Sequence, residues 1–228
     1  MFEFIFLDLD DTILDFQKAE RIALGKTFRH FGLEPTEEVC NLYSRINKQH
    51  WERLERNELT REQVLTGRFA VLFETVGVKA EPAEVASCYE NNLSIGHYFL
   101  PGAEEALEEL SKGYKLYLAS NGTAKVQAGR LKSANIGRFF QKMFISQELG
   151  ANKPSREYFD RCFACIPQFD RSRAMIVGDS LTSDIRGGVN AGIATCWVNP
   201  LHKPKNPDIR VDYEIERLAQ LPSLLKSL

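Results

Sequence analysis

Phe4-Ile5-Phe6-Leu7-Asp8-Leu9-Asp10-Asp11-Thr12 begins as an apolar run and stops on a cluster of acids. A short, nearly continuous apolar run that ends on turn-forming residues is the pattern of a strand buried on both faces. Side chains alternate along an extended chain, so Asp8 and Asp10 are expected to leave its end toward the same side. Two carboxylates that close repel each other unless a cation sits between them or one keeps a proton. Alone, an acidic pair ending a strand also fits a turn or a helix cap. The residues further along the chain decide between these.

Four more apolar runs resemble the first, which covers residues 4–9; they lie at 115–120, 143–146, 174–178 and 194–198. From the second run onward, helical patterns at 123–134, 155–165 and 182–191 separate them, and Gly137 and Gly192 close two of these helices. Such alternation predicts an α/β fold with a doubly wound, Rossmann-like parallel sheet and helices on both faces. Residues 212–215 are expected to add an edge strand, 217–228 a closing helix and 201–210 an exposed loop. The stretch 15–100 breaks the rhythm, because it carries helix signals and no strand pattern. Thr36 after Pro35 reads as an N-cap, Thr60-Arg61-Glu62-Gln63 as a capping box, and Pro82 as a first-turn proline. The expectation is a catalytic core of residues 1–14 and 101–228, with residues 15–100 inserted as an all-helical cap. Entered from the carboxyl end of the first strand, the insert would hang over the edge where α/β sheets bind ligands.

Composition narrows the function. Lys and Arg number 29 against 31 Asp and Glu, for a net charge of −2, whereas a binder of the nucleic-acid backbone is normally clearly basic. A nucleic-acid polymer is therefore not an expected partner, although one small anion in a local site is compatible. No apolar run approaches the roughly 20 residues needed to span a bilayer, so no membrane partner is expected. The opening residues carry acids and no basic region, and no secretory leader is expected. The scattered Cys40, Cys88, Cys162, Cys165 and Cys196 then read as reduced, mostly buried thiols of a cytoplasmic protein. Cys162-Phe163-Ala164-Cys165 has CxxC spacing, but it lies in a helical stretch with no second pair, which favours packing over zinc or redox chemistry.

A second acidic pair follows the fourth run, in Gly178-Asp179-Ser180-Leu181-Thr182-Ser183-Asp184. The plain reading is that Asp179 and Asp184 offset the positive end of the next helix. Gathered with Asp8 and Asp10, they would form a hard oxygen site of the kind that selects Mg²⁺. His30, His50, His97 and His202 are dispersed without ligand spacing, which disfavours a softer metal. Ser120-Asn121-Gly122 ends the second run before a helix and offers an anion a hydroxyl and backbone N–H groups. Lys153-Pro154 precedes the helix at 155–165, where the rigid proline could hold the lysine over the same edge. Each of these is unremarkable singly; in this order, at strand ends, they suggest a phosphate site.

Together the motifs resemble those of the haloacid dehalogenase-like phosphohydrolases, and they span nearly the whole core. The helical insert matches that family's cap between the first and second motifs. One departure is Asp11, where the commonest family pattern has glycine, and its expected effect is on local loop geometry. The resemblance implies that Asp8 attacks phosphorus to form an aspartyl phosphate, as an ionised carboxylate needing no activating base. It implies that Asp10 protonates the leaving oxygen and then deprotonates water, with its proton affinity raised by neighbouring carboxylates. Mg²⁺ would be held by the Asp8 carboxylate, the Asp10 main-chain carbonyl and Asp179, with Asp184 in support. Ser120, Asn121 and Lys153 would bind the phosphoryl group. An acid two residues after the nucleophile also argues for phosphoryl transfer over dehalogenation.

The runs Ala119-Ser120-Asn121-Gly122, 178–185 and Cys196-Trp197-Val198-Asn199-Pro200 are similar to the pyrimidine 5′-nucleotidase branch. That similarity implies a small phosphate ester as partner, a nucleoside monophosphate such as UMP, dUMP or TMP. The alternatives are a sugar-phosphate or phosphoglycolate phosphatase or a phosphomutase on the same fold, or a non-catalytic binding protein, which the intact motifs oppose. Tyr43, Trp51, Phe69 and Phe73 in the insert could stack on a base, but at helical spacing such residues are more often core.

Overall fold

The computed structural model describes residues 1–228. Six parallel strands form one sheet: β1 (Phe4–Leu7), β2 (Lys115–Ser120), β3 (Phe140–Ile145), β4 (Ala174–Gly178), β5 (Ala194–Val198) and β6 (Tyr213–Ile215). Their spatial order is β3-β2-β1-β4-β5-β6, so the first strand of the chain lies at the centre. In chain order the helices are α1 (Phe16–His30), α2 (Glu37–Glu55), α3 (Arg61–Val76), α4 (Pro82–Leu93) and α5 (Ala103–Leu110). They continue with α6 (Ala124–Ala134), α7 (Ser146–Leu149), α8 (Arg156–Ala164), α9 (Arg186–Ala191) and α10 (Leu221–Lys226). The chain divides into two compact units, Met1–Phe16 with His97–Leu228, and Gln17–Gly96.

Why β1 is apolar throughout is clear from its two faces. Ile5 and Leu7 pack with Ala106, Leu107 and Leu110 of α5, Leu131 of α6 and Leu221 of α10. Phe4 and Phe6, alternating with them, pack with Tyr158, Phe159, Cys162 and Phe163 of α8. A strand covered by helices on both faces has no polar side to show. Gly187 and Gly188 let α9 approach closely, since a Cβ on Gly188 would meet Ile176 at 2.4 Å and Thr195 at 2.7 Å.

The expected and observed bounds coincide for β2, β4 and β5 and differ elsewhere for local reasons. β1 ends at Leu7 and not at residue 9, because the N–H groups of Ile13 and Leu14 both turn back to the Leu9 carbonyl. β3 starts at Phe140, three residues before the expected 143; it is an edge strand whose Gln141, Lys142 and Met143 are exposed, so its apolar signal is short. Gly137 does not close α6. Asn135 does so in the left-handed conformation (φ 54°), and Gly137 opens a 3₁₀ turn. Residues 182–191 divide into a π-helical turn, Leu181–Ile185, followed by α9. Residues 217–228 divide similarly into a 3₁₀ turn, Leu218–Gln220, and α10.

In the helical unit, Thr36 caps α2 and Thr60 forms the reciprocal capping box of α3 with Gln63. Tyr43, Phe69 and Phe73 are buried in the core of the unit, so for these the packing reading holds, while Trp51 is half-buried beneath the Arg61 guanidinium. A buried polar chain threads the same core. Ser44 Oγ and Asn47 Nδ2 donate to Glu20 at 2.5 and 2.8 Å, and Arg68 Nη1 donates to Asn47 Oδ1 at 2.8 Å. No helix is long and apolar enough to cross a membrane.

The cysteines are all free. Cys40, Cys162 and Cys196 are buried, Cys88 is half-buried and Cys165, at the end of α8, is exposed. Burial pushes the Cys196 thiol up to about 12.

Candidate active site

The strand order reverses between β1 and β4, and in open α/β sheets the crevice beyond the carboxyl ends at such a point is where ligands bind. Leu7 stands opposite Val177 in register, so Asp8 and Asp179 emerge from neighbouring strand ends. Asp184, on the π-helical turn after β4, returns to the same place. Carboxylate oxygens of Asp8, Asp179 and Asp184 all lie within 4.8 Å of one another. Glycine at 178 makes this possible, because a Cβ there would sit 2.2 Å from Asp184 Oδ2. The Ser180 N–H donates to that same oxygen at 3.1 Å, and Trp197 Nε1 donates to the Asp179 carbonyl at 2.8 Å.

Lys153 enters the cluster from the loop before α8. Its ammonium donates to Asp8 Oδ1 at 2.7 Å, to Asp184 Oδ1 at 2.6 Å and to the Ala119 carbonyl at 2.6 Å, with the side chain fully buried. The proline next to it was the expected constraint, but the structure adds a stronger one. Asn121 Oδ1 accepts from the Lys153 N–H at 2.9 Å while its Nδ2 donates to the Lys153 carbonyl at 2.9 Å and to Ser183 Oγ at 3.2 Å. The Asn121 amide thus straps the ends of β2 and β4 to the lysine.

Asp10 takes a different course from Asp8. Its carboxylate accepts from Gln127 Nε2 at 2.8 Å and from Arg130 Nη1, both on α6. The two acids were expected to leave β1 together; the turn after Leu9 instead gives them separate partners. The Asp10 carboxylate is consequently absent from the three-carboxylate cluster and hydrogen-bonds to an amide and a guanidinium, although its charge still reaches Asp8. Ser120, at the end of β2, is buried; its Oγ accepts from Gln127 Nε2 at 2.8 Å and from the Gly122 N–H at 3.1 Å. Gln127 and Arg130 are the site residues that sequence reasoning missed. The one available signal was their i, i+3 spacing on the helix that follows Ser120.

Electrostatics follow from this burial. Desolvation holds the Asp8 carboxyl far above the usual range, with Lys153 pulling it down and Asp184 and Asp10 pushing it further up. Asp179 is raised for the same first reason, reinforced by Asp184 and Asp8. Burial works against the Lys153 ammonium too, but Asp184 and Asp8 outweigh it and hold its pKa above the ordinary value. Three carboxylates against one ammonium leave two negative charges uncompensated when all are ionised. An all-oxygen donor set with that deficit fits a hard divalent cation.

Residues 5–198 match the haloacid dehalogenase-like hydrolase family. Bacillus subtilis YfnB is 38% identical over 221 residues, covering 97% of this chain and 94% of that protein. Its crystal structure, bound to magnesium, superposes with a TM-score of 0.94 over 98% of each chain. The pyrimidine 5′-nucleotidase PynA of Streptococcus pneumoniae is 33% identical, covering 94% of this chain and 91% of PynA. The pyrimidine 5′-nucleotidase YjjG of Escherichia coli is 31% identical, covering 98% and 97%.

Proposed function

Because this chain belongs to the haloacid dehalogenase-like hydrolase family and is a phosphoric monoester hydrolase, we propose that Asp8 is its nucleophile and a nucleoside 5′-monophosphate its substrate. The observation that carries the chemistry is the Asp8–Asp179–Asp184 cluster with the Lys153 ammonium bridging two of its members.

Mg²⁺ is the cofactor, and Asp8, Asp179 and Asp184 with the Asp10 main-chain carbonyl would hold it; bound there, it would offset the two uncompensated charges and those of the phosphoryl group. Asp8 attacks phosphorus, the P–O bond to the nucleoside breaks, and the 5′-oxygen takes a proton from the Asp10 carboxyl. The second half reverses Asp10's role: it removes a proton from water, whose oxygen attacks the aspartyl phosphate and releases inorganic phosphate and free Asp8. Lys153, fixed by Asn121, holds Asp8 in place and stabilises charge on the phosphoryl oxygens, as do the Ser120 hydroxyl and the main chain of Asn121. The choice of a nucleotide is supported by PynA and YjjG, each similar over more than nine-tenths of the chain.

A panel of phosphate esters, scored by released phosphate with Mg²⁺ and then with chelator, tests this reading. UMP, dUMP and TMP are expected to be turned over faster than glycolate phosphate or sugar phosphates, with activity lost on chelation. Equal rates on UMP and glycolate phosphate would remove the nucleotide assignment, and activity insensitive to chelator would remove the metal.

A further inference from the structure

Gln127 and Arg130 have no part in the mechanism above, yet they make the contacts that hold its acid. Both are buried, on the same face of α6. Gln127 Nε2 is shared between Asp10 Oδ2 and Ser120 Oγ, at 2.8 Å to each. Arg130 Nη1 reaches Asp10 Oδ1 and also donates to Gln127 Oε1 at 3.2 Å. The result is one continuous chain, Ser120–Gln127–Asp10–Arg130, joining residues from β1, β2 and α6. Gly122 leaves room for it, since a Cβ there would meet Gln127 Nε2 at 2.3 Å and Cδ at 2.6 Å.

The exposures within the chain are unequal in an informative way. The Arg130 side chain is 0% exposed, with its guanidinium near the Phe16 ring, whereas the Asp10 side chain is 29% exposed. A cation closed off in this way is not placed to contact substrate, while the carboxylate it grips is open. Packing does not explain the arrangement, because a buried ion pair is often no more stabilising than apolar residues of the same volume. Leu131 and Ala134 on the same helix already supply the apolar contact with the sheet.

We propose that Gln127 and Arg130 are positioning residues for phosphoryl transfer, holding the Asp10 carboxyl where it exchanges its proton with the leaving oxygen, while the Ser120 hydroxyl keeps its separate bond from the Gly122 N–H. This inference rests on the proton-transfer role given to Asp10 above.

The test is the first turnover, with Mg²⁺ present, of two esters that differ in their need for a proton. A nucleoside released from UMP departs as an alkoxide and needs one; p-nitrophenol departs as a stable phenolate and does not. Gln127→Met and Arg130→Leu are expected to slow nucleoside release by about 10–100-fold, with KM changed by no more than about twofold and p-nitrophenol release by no more than about threefold. Arg130→Lys is expected to recover part of the loss, and Gln127→Met to add little once Asp10→Asn is present. If Arg130→Leu does not fold, as judged by its thermal melt, Gln127→Met and Arg130→Lys decide the matter. Equal slowing of both esters in these variants, or no slowing of either, overturns the positioning role. Should Asp10→Asn itself slow both esters equally, the role of Asp10 fails and this inference fails with it. Selective loss in Asp10→Asn without selective loss at Gln127 and Arg130 overturns the inference alone.

Discussion

Asp11 shows how one side chain can settle a local conflict. It occupies the left-handed region at φ 55°, where glycine is the usual residue because it has no Cβ to clash. Aspartate is among the few residues that tolerate this region, and here its Oδ1 accepts from the Phe16 N–H at 2.9 Å, at the first residue of α1. The departure from the commonest family pattern thus replaces conformational freedom with a capping bond. In urea titrations Asp11→Asn is expected to be nearly neutral, whereas Asp11→Ala loses the cap and keeps the strained backbone, at a cost of about 1–2 kcal/mol. Asp11→Gly should fall between them, and an alanine variant as stable as the parent would refute the argument. At this scale the gathering of Asp8, Asp179 and Asp184 was legible in the sequence, because carboxylates at strand ends carry their chemistry in their type, whereas the separate partners of Asp10 were not. Gln127 and Arg130 were not, since an amide and a guanidinium on a helix have an ordinary surface reading until the fold brings them to Asp10, more than a hundred residues away in sequence.

Elements were legible where one physical signal dominated. β2, β4 and β5 are internal strands covered on both sides, and their apolar runs begin and end with the ladder. The edge strand β3 was mistimed because its exposed residues need not be apolar. Helix ends failed differently: Gly137 looked like the terminator of α6, yet Asn135, two residues earlier, takes the left-handed position and its N–H bonds the Leu131 and Lys132 carbonyls. Asparagine shares with aspartate a tolerance of that region, so a nearby glycine is not the sole candidate. If Asn135 is the true cap, Asn135→Ala should lower the urea midpoint by an amount equivalent to about 1 kcal/mol, and Asn135→Gly should change it by less than about 0.5 kcal/mol. A loss on Gly137→Ala as large as that on Asn135→Ala would restore the original reading.

Over the whole molecule, a net charge of −2 conceals a cluster that, with all its groups ionised, is itself two negative charges out of balance. The sequence total argued against a polyanionic partner but could not reveal this, because it gives no weight to where charges are buried. Burial pushes the Asp8 carboxyl up to about 8, with Lys153 opposing and Asp184 and Asp10 adding, and raises Asp179 as well. In the unfolded chain these carboxyls return to the ordinary range near 4. Between those limits the metal-free folded state holds protons that the unfolded state has released, so its stability falls as pH rises. The slope is about 1.4 kcal/mol per pH unit for each proton held. Bound by these three groups, Mg²⁺ would favour the ionised carboxylates and so remove the cause of the decline. Melting temperatures from pH 5 to pH 8 should therefore drop in chelator and stay nearly level in Mg²⁺, the gap widening toward pH 8. If the chelated protein became more stable over that range, or if the Mg²⁺ increment were independent of pH, the three carboxylates would not be the metal-binding group.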